Sequence, residues 1–568
     1  MRFLALATDY DGTLAEHGSV SEETIRALEK LRHSGRKLIL VTGRELPDLE
    51  RVFDRLDLFQ AVVAENGAVL YDSGTHEKRV LADAPNPAFA EALRNRGIPS
   101  MSTGDVIIAT WRPHESVVFE TIRDLGLELQ VIFNKDAVMI LPAGVNKMSG
   151  LAAALEHLGL SQHNVVGIGD AENDHAFLSF CEYSVAVANA IPALKNAVDF
   201  VTTGERGQGV VELIGKISAD ELVFKDSASR RRGVLIGTEA DREISIPTYG
   251  SSVLVAGASG SGKSTLVTAL LESLIEQRFQ FCLIDPEGDY ETLPGCLTLG
   301  DEEHTPSIDQ VLQALGKVGT QVVVNLTGVK LPDRPSFFAS LLPRLQEMRL
   351  RTGRPHWIVI DEAHHMVHAS WAPASAELAG ELKNMLMITV HPEHVARSAL
   401  SEVDIVCAVG ESAQDVVKEF AEINGIAEPS GVGEQVKAGE ALVWFRNSGE
   451  FHRVKAASSS IERKRHKRKY AEGEMEPEKS FYFRGAEGQL NLRAQNLTMF
   501  VQLAEGIDDQ TWLHHLRQGD YSTWFRDRIN DNELADEVAS IEDDRSMNAK
   551  QSRTKIKNAI EQRYTAPA

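Results

Sequence analysis

Phe3-Leu4-Ala5-Leu6-Ala7-Thr8-Asp9-Tyr10-Asp11-Gly12-Thr13 is the stretch that decides the fold of the first third of the chain. An apolar run, Phe3 to Thr8, reads as a strand. It runs into two acids at i and i+2, which on a strand point to the same side. Two carboxylates about 4 Å apart repel by roughly 4 kcal/mol at an effective dielectric of 20. Either one is protonated or a divalent cation sits between them, and oxygen ligands favour Mg²⁺. Further along, Ser21 caps a helix with Glu22 and Glu23 in its first turn and Ile25, Leu28 and Leu31 on one face, and Gly35 stops it. Lys37–Val41 is then a second strand. This βαβ rhythm predicts an α/β fold with a parallel sheet and functional loops at the C-terminal strand ends.

Three more fragments fall at such ends: Val41-Thr42-Gly43-Arg44, Gly144-Val145-Asn146-Lys147, and Gly169-Asp170-Ala171-Glu172-Asn173-Asp174 after the apolar Val165–Ile168. Asp170 and Asp174 are i and i+4 and share a face on a helical turn. In this order the set resembles the haloacid dehalogenase (HAD) superfamily, over residues 1–216. It is most similar to the branch with a cap inserted between the second and third motifs, which Glu65-Asn66-Gly67-Ala68 also matches. The resemblance implies a Rossmann-like domain with a small α+β cap at about 80–141, similar to the caps of archaeal-type phosphoglycolate phosphatases. It also implies a phosphatase. Asp9 would be the nucleophile, Asp11 the acid and base, Thr42 a phosphoryl hydrogen-bond donor and Lys147 the neutralising cation. Asp9, Asp11 through its backbone carbonyl, Asp170 and Asp174 would hold Mg²⁺, with Asn173 completing the shell. Trp111, Arg112 and His114 are candidate substrate contacts in the cap, or ordinary cap-surface residues.

Gly257-Ala258-Ser259-Gly260-Ser261-Gly262-Lys263-Ser264 matches GxxxxGK[ST], between the strand Val253–Ala256 and a helix beginning Thr265-Leu266. That context is a P-loop, whose N–H groups cradle phosphates at a helix N-terminus. Gly257, Gly260, Ser261, Gly262, Lys263, Ser264 and Thr265 would bind ATP, with Lys263 on the β/γ-phosphates and Ser264 on Mg²⁺. Trp357-Ile358-Val359-Ile360-Asp361-Glu362 is a strand ending in two acids. Asp361 would hold the metal shell, and Glu362 would activate water, which points to hydrolysis. With Asp285-Pro286-Glu287-Gly288 and Ala363-His364-His365, residues 233–457 resemble the HerA/FtsK-like ATPases. Those are typically hexameric motors on DNA or protein, so a ring of copies is implied. Two departures stand out. Where that family has Thr-Gln, this chain has Thr389-Val390-His391-Pro392, and only Gly233–Ser252 precedes the P-loop strand, too little for the β-barrel of HerA proteins. Arg397 and Arg446 are candidate arginine fingers.

The sequence outside these motifs sets limits. The 568 residues predict three or four domains at about 150 residues each. With 43% hydrophobic and 25% charged residues the chain is neither disordered nor fibrous. Fifty-nine Lys and Arg against 82 Asp and Glu give −23, so any phosphate binding must be local. Four scattered cysteines, Cys181, Cys282, Cys296 and Cys407, predict buried thiols in a reducing, cytoplasmic setting. No apolar run is long enough to span a membrane. Residues 217–232 and 458–480 read as linkers, the second carrying the basic run Arg463–Lys469. That run could hold a nucleic-acid backbone while Tyr482 and Phe483 stack on bases. Residues 481–548 read as a small helical module containing Trp512, His514, His515, Tyr521 and Trp524, with Asp520 or Ser522 capping a helix. Residues 549–568 read as a frayed tail.

Together these expectations describe an Mg²⁺-dependent phosphomonoesterase for a small phosphorylated metabolite, joined to an ATP-binding and ATP-hydrolysing domain. The alternative is a nucleic-acid-directed motor or defence protein whose first domain trims polynucleotide phosphate ends. A kinase–phosphatase pair is the third reading, and Glu362 argues against it.

Overall fold

The computed structural model describes residues 2–134, 136–222, 233–240, 242–258, 260–368, 383–429, 436–437, 439–459, 480–485, 490–529 and 531–564. Ser259, most of the 217–232 stretch and the Arg463–Lys469 run lie outside them. The chain divides into two compact units, Met1–Ser458 and Ser459–Ala568.

The first unit holds two large sheets. The first is built from β1 (Ala5–Thr8), β2 (Lys37–Val41), β3 (Ala61–Ala64), β4 (Val69–Asp72) and β5 (Glu77–Val80), with β10 (Val165–Gly169), β11 (Tyr183–Ala186) and β12 (Phe200–Val201). Its order is β12-β11-β10-β1-β2-β3-β4-β5. From β12 to β3 the strands are parallel; β4 and β5 run antiparallel. β1, β3, β10 and β11 are buried throughout. A parallel sheet covered on both faces explains why these strands are continuous apolar runs instead of alternating ones. Helix α1 (Glu22–His33) starts as expected: Ser21 Oγ accepts from the Thr24 N–H at 3.2 Å, and Leu28 and Leu31 are buried.

Between β5 and β10 the chain forms a separate four-stranded antiparallel sheet, order β6-β7-β9-β8: β6 (Ser102–Thr103), β7 (Ile108–Trp111), β8 (Leu129–Asn134) and β9 (Ala137–Pro142). Helices α2 (Pro87–Asn95) and α3 (Glu115–Asp124) bury Phe89, Leu93 and Val118 against it. The chain then returns through α4 (Lys147–Leu158), opened by an Asn146–Ser149 capping box.

The second sheet has eleven strands, from β13 (Val234–Glu239) and β14 (Arg242–Ile246) through β15 (Val253–Ala256), β16 (Phe281–Asp285), β17 (Cys296–Leu299), β18 (Gln321–Asn325), β19 (Trp357–Ile360), β20 (Met385–Thr389), β21 (Ile405–Val409), β22 (Glu440–Phe445) and β23 (Phe451–Ala456). Their order is β14-β13-β23-β22-β21-β15-β20-β19-β16-β18-β17. Residues 234–246, too few for a barrel, form a hairpin that extends one edge by pairing with β23. The helix after β15, α5 (Lys263–Glu276), begins two residues before the expected Thr265.

Within this unit the two sheets meet at buried polar contacts. The His163 ring stacks on Phe279 at 3.6 Å, and its Nε2 donates to the Gln277 carbonyl at 2.9 Å. Arg354 is buried and donates to the carbonyls of Gly159 (2.9 Å) and Leu315 (3.0 Å) and to Gln280 Oε1 (2.9 Å). Burial pulls its pKa down to about 10. Gly159 caps the C-terminus of α4, and Gln277 caps that of α5. The helices that start at Lys147 and Lys263 therefore both end at this seam.

The second unit is mostly helical, as expected, and departs from the sequence reading in four details. It opens with a hairpin, β24 (Phe481–Phe483) and β25 (Leu492–Ala494), before its helices begin. Phe483 is fully buried and stacks on Phe500 at 5.3 Å, so it is core and no base platform. Trp512, Tyr521 and Trp524 join the same aromatic core. The expected tail is a helix over Ala549–Tyr564, because Ile556, Ala559 and Ile560 at i, i+3 and i+4 form a stripe that this core buries. Neither Asp520 nor Ser522 caps a helix: Gly519 stands at the junction, and Asp520 accepts from His515 Nδ1 at 2.7 Å. None of the four cysteines is in a disulfide, and Cys296 is partly exposed while the others are buried. Among the described residues no helix is long and apolar enough to cross a membrane.

Candidate functional site

Three parallel strands deliver the first site. Asp9 follows β1, Thr42 follows β2 and Asp170 follows β10; β1 lies between the other two. Lys147, the first residue of α4, enters from the side. Its Nζ donates to Asp9 Oδ1 at 2.6 Å and to Asp174 Oδ1 at 2.5 Å. The other Asp174 oxygen accepts from the N–H groups of Asp170 (2.8 Å) and Ala171 (2.9 Å), and Thr13 Oγ1 donates to Asp170 Oδ1 at 3.2 Å. Asp9, Asp170, Asp174, Thr42 and Lys147 are all buried.

Electrostatics set the character of this cluster. Burial pushes the Asp9 carboxyl well above the usual range, Asp174 and Asp170 push it further, and Lys147 pulls it back. Burial works against the Lys147 ammonium, but Asp174 and Asp9 hold its pKa above the normal lysine value. Ligand oxygens of Asp9, Asp170 and Asp174 lie within 4.8 Å of one another. With all three acids ionised, three carboxylates against one ammonium leave a charge of −2 in a buried site. An all-oxygen donor set with that deficit fits a hard divalent cation such as Mg²⁺.

Asp11 departs from the expected pairing. Its carboxylate is not in the Asp9 cluster; it is gripped at both oxygens by Arg44, Nε at 2.6 Å and a terminal nitrogen at 2.8 Å. Asp11 lies past the end of β1, in a turn where Gly12 has φ +87°, so the i, i+2 rule for strands no longer applies. The Arg44 guanidinium also donates to Asp48 at 2.5 Å and has its pKa held above the ordinary value, chiefly by the bond to Asp11.

Sequence reasoning passed over what Glu65, Asn66 and Gly67 do. Buried Glu65 accepts the backbone N–H groups of Asp105 (2.8 Å), Val106 (2.8 Å) and Ile107 (2.9 Å), tying the small sheet to the end of β3. Asn66 Oδ1 accepts from Asn173 at 3.0 Å. Gly67 has φ +111°, and a Cβ there would lie 1.9 Å from the Asn146 carbonyl. The matched Glu-Asn-Gly was the available signal, but its partners lie about 40 and 100 residues away. On the small sheet, Met139 comes to 3.1 Å from where a Cβ on Gly43 would sit, which brings β9 over the strand ends. Trp111 is 47% exposed, and the Arg112 guanidinium lies over the Phe133 ring at 5.2 Å, on the same sheet.

The second site is a backbone loop. Gly257 (φ +156°), Gly260 (φ +80°) and Gly262 (φ +102°) all need positive φ, and a Cβ on Gly257 would meet the Val409 carbonyl at 2.3 Å. Lys263 Nζ donates to the carbonyls of Gly257 (2.7 Å) and Ala258 (2.9 Å). Thr389, at the end of β20, stands between the ends of β15 and β19 and so between the loop and Asp361. Glu362 holds a left-handed backbone (φ +43°), rare for a side chain of its size and concentrated at functional sites. Its carboxylate is 3.4 Å from His364 Nδ1. Arg446 is engaged by the Ser401 and Val403 carbonyls and lies over Phe420.

Comparison with known proteins adds the following. The sequence profile described as haloacid dehalogenase-like hydrolase matches residues 6–99 and 118–214. That described as the central domain of helicase HerA matches residues 233–312. A phosphoglycolate phosphatase of Methanothermobacter thermautotrophicus is 32% identical over 218 residues, 96% of its length and 37% of this chain. One of Halorubrum lacusprofundi is 30% identical over 223 residues, 96% of its length and 37% of this chain. Among solved structures, a haloacid dehalogenase-like hydrolase from Bacteroides thetaiotaomicron aligns with 20% identity and a TM-score of 0.34, covering 38% of this chain and 100% of that one.

Proposed function

The chain belongs to the haloacid dehalogenase-like hydrolases, and from that premise we propose that residues 1–216 are an Mg²⁺-dependent phosphomonoesterase for a small phosphorylated metabolite. The observation that carries this reading is the buried group of Asp9, Asp170 and Asp174 around Lys147 Nζ. Asp9 attacks phosphorus; the Asp9 O–P bond forms as the ester P–O bond breaks. Asp11, once released from Arg44, takes up a proton from solvent and gives it to the departing oxygen. It then takes a proton from the water that attacks the aspartyl-phosphate, releasing inorganic phosphate and restoring Asp9. Thr42 orients the phosphoryl group and Lys147 balances its charge. Asp9, Asp170, Asp174 and the Asp11 carbonyl would hold Mg²⁺, which supplies charge neutralisation at the phosphoryl oxygens. The small sheet, Ser102 to Pro142, and its two helices exclude water and select the substrate, and the phosphoglycolate phosphatase relatives make a short phosphorylated acid the first substrate class to try.

Residues 233–457 bind ATP at the 257–264 loop in the same reading. Gly257, Gly260, Ser261, Gly262 and Thr265 would frame the phosphates, Lys263 would balance their charge, and Ser264 and Asp361 would hold the Mg²⁺ that accompanies the nucleotide. Glu362 orients the water. No contact among the described residues favours nucleic acid.

The test is phosphate release from 2-phosphoglycolate and a panel of phosphorylated metabolites, with Mg²⁺ or EDTA. Asp9→Asn should lower turnover roughly a thousandfold or more, as losses of nucleophiles do, and leave ATP binding intact. Release that persists in EDTA or in Asp9→Asn would remove the assignment.

A further inference from the structure

β20 ends in Thr389-Val390-His391-Pro392-Glu393-His394, and Pro392–His394 close into a single 3-10 turn. That turn sets three donors of two kinds around one point. His391 Nδ1 is 3.0 Å from Glu393 Oε1, and His394 Nε2 is 3.9 Å from the same oxygen. Ligand atoms of all three residues lie within 4.8 Å of one another, and all three are exposed, so an ion can enter. The His391 and His394 ring centres are 5.0 Å apart.

The neighbouring strand end adds to this. His364 follows β19; its ring centre is 5.9 Å from that of His391 and 4.1 Å from that of His365. His364 Nδ1 reaches Thr389 Oγ1 at 3.1 Å, and the same Oγ1 accepts the His391 N–H at 3.0 Å. Thr389 thus fixes both histidine segments to one strand end. The Glu419 carboxyl lies beside Glu393 and offers one more oxygen. Four imidazoles and two carboxylates gather where two adjacent parallel strands end.

We propose that His391, Glu393 and His394 form a binding site for a d-block divalent cation of the zinc class, beside the acid that follows Asp361. The donor chemistry selects the ion. Imidazole nitrogen with one carboxylate suits Zn²⁺, Co²⁺ or Ni²⁺, whereas Mg²⁺ and Ca²⁺ take oxygen. Metal–ligand bonds of about 2.0–2.1 Å place tetrahedral ligands roughly 3.3–3.5 Å apart. The separations of 3.0 and 3.9 Å bracket that spacing, so side-chain rotation alone closes the site. Three protein ligands leave the fourth position for water or for His364. The Asp9 site has only carboxylates and a lysine and is chemically distinct. The two sites therefore sort metals by hardness.

The experiment uses the full chain, stripped with chelator and titrated with Co²⁺ in excess Mg²⁺, which fills the oxygen sites and does not compete for imidazole. Four-coordinate Co²⁺ with nitrogen ligands absorbs strongly in the visible, whereas an octahedral oxygen site absorbs weakly. One equivalent of the intense species should form and be bleached by Zn²⁺. His391→Ala/His394→Ala should abolish it, Glu393→Gln should weaken it at least tenfold, and Asp170→Asn should leave it unchanged. The three substituted side chains are exposed, and matching melting curves without metal establish that the variants fold. Absence of the band in the parent chain, or its persistence in the double variant, overturns the proposal.

Discussion

The two candidate sites are built on opposite principles. The first takes one side chain each from the ends of β1, β2 and β10 and the start of α4, with Asp174 from the turn after β10, and sets three buried carboxylates against one ammonium. The second lies at a helix N-terminus, where Gly257, Gly260 and Gly262 take positive φ and Lys263 donates to the Gly257 and Ala258 carbonyls. A charge cluster is costly to keep when one member is lost. A backbone loop tolerates loss of its lysine but not added bulk at its glycines.

Substitutions can break or sharpen that contrast. Lys147→Ala strands Asp9 and Asp174 together, and losing one partner of a buried ion pair costs about 3–5 kcal/mol. Denaturant unfolding should show that loss, and Mg²⁺ should recover part of it by supplying the missing positive charge. If Mg²⁺ changes nothing, the carboxylates are not the metal site. Gly67→Ala forces a Cβ into the Asn146 carbonyl, one residue before Lys147, and should cost about 3 kcal/mol. A melting temperature equal to the parent's would show that the α4 start can shift. Lys263→Ala should weaken ATP binding by roughly 1.5–3 kcal/mol, the worth of a charge-assisted hydrogen bond. Its fold should stay within about 2 kcal/mol of the parent, the worth of the two bonds that Lys263 donates to the Gly257 and Ala258 carbonyls. A loss as large as that of Lys147→Ala would erase the contrast between the sites. The smallest effect is expected of Glu65→Gln, which keeps the shape but weakens three charge-assisted bonds to residues 105–107. We expect KM for the phosphorylated substrate to rise about tenfold or less while kcat changes little, and the reverse pattern would place Glu65 nearer the chemistry.

Much of this was legible because the features are local. The strand ends at Asp9, Thr42 and Asp170, the positive-φ glycines before α5 and the apolar runs of the two sheets each occupy a few consecutive residues. Features that depend on partners far away in the chain were not. Asp11 looked like a neighbour of the Asp9 carboxylate, but the turn after β1 and the reach of Arg44 from β2 took it away. The last helix, Ala549–Tyr564, has a strongly polar composition, and its thin stripe of Ile556, Ala559 and Ile560 makes sense only against the aromatic core around Phe500. Phe483 beside a basic run suggested base stacking, yet the same core buries it.

The sequence by itself determined the class of each sheet and the residues that end its strands, because periodicity, glycine φ requirements and apolar runs act over short range. Tertiary structure alone decided which end groups meet: Lys147 between Asp9 and Asp174, Glu65 on the amides of the small sheet, His391 and His394 beside His364, and the ends of α4 and α5 at one seam through Arg354 and His163. Those pairings join segments tens to hundreds of residues apart. Charge, burial and hydrogen-bond geometry fix them only after the strands have been laid side by side.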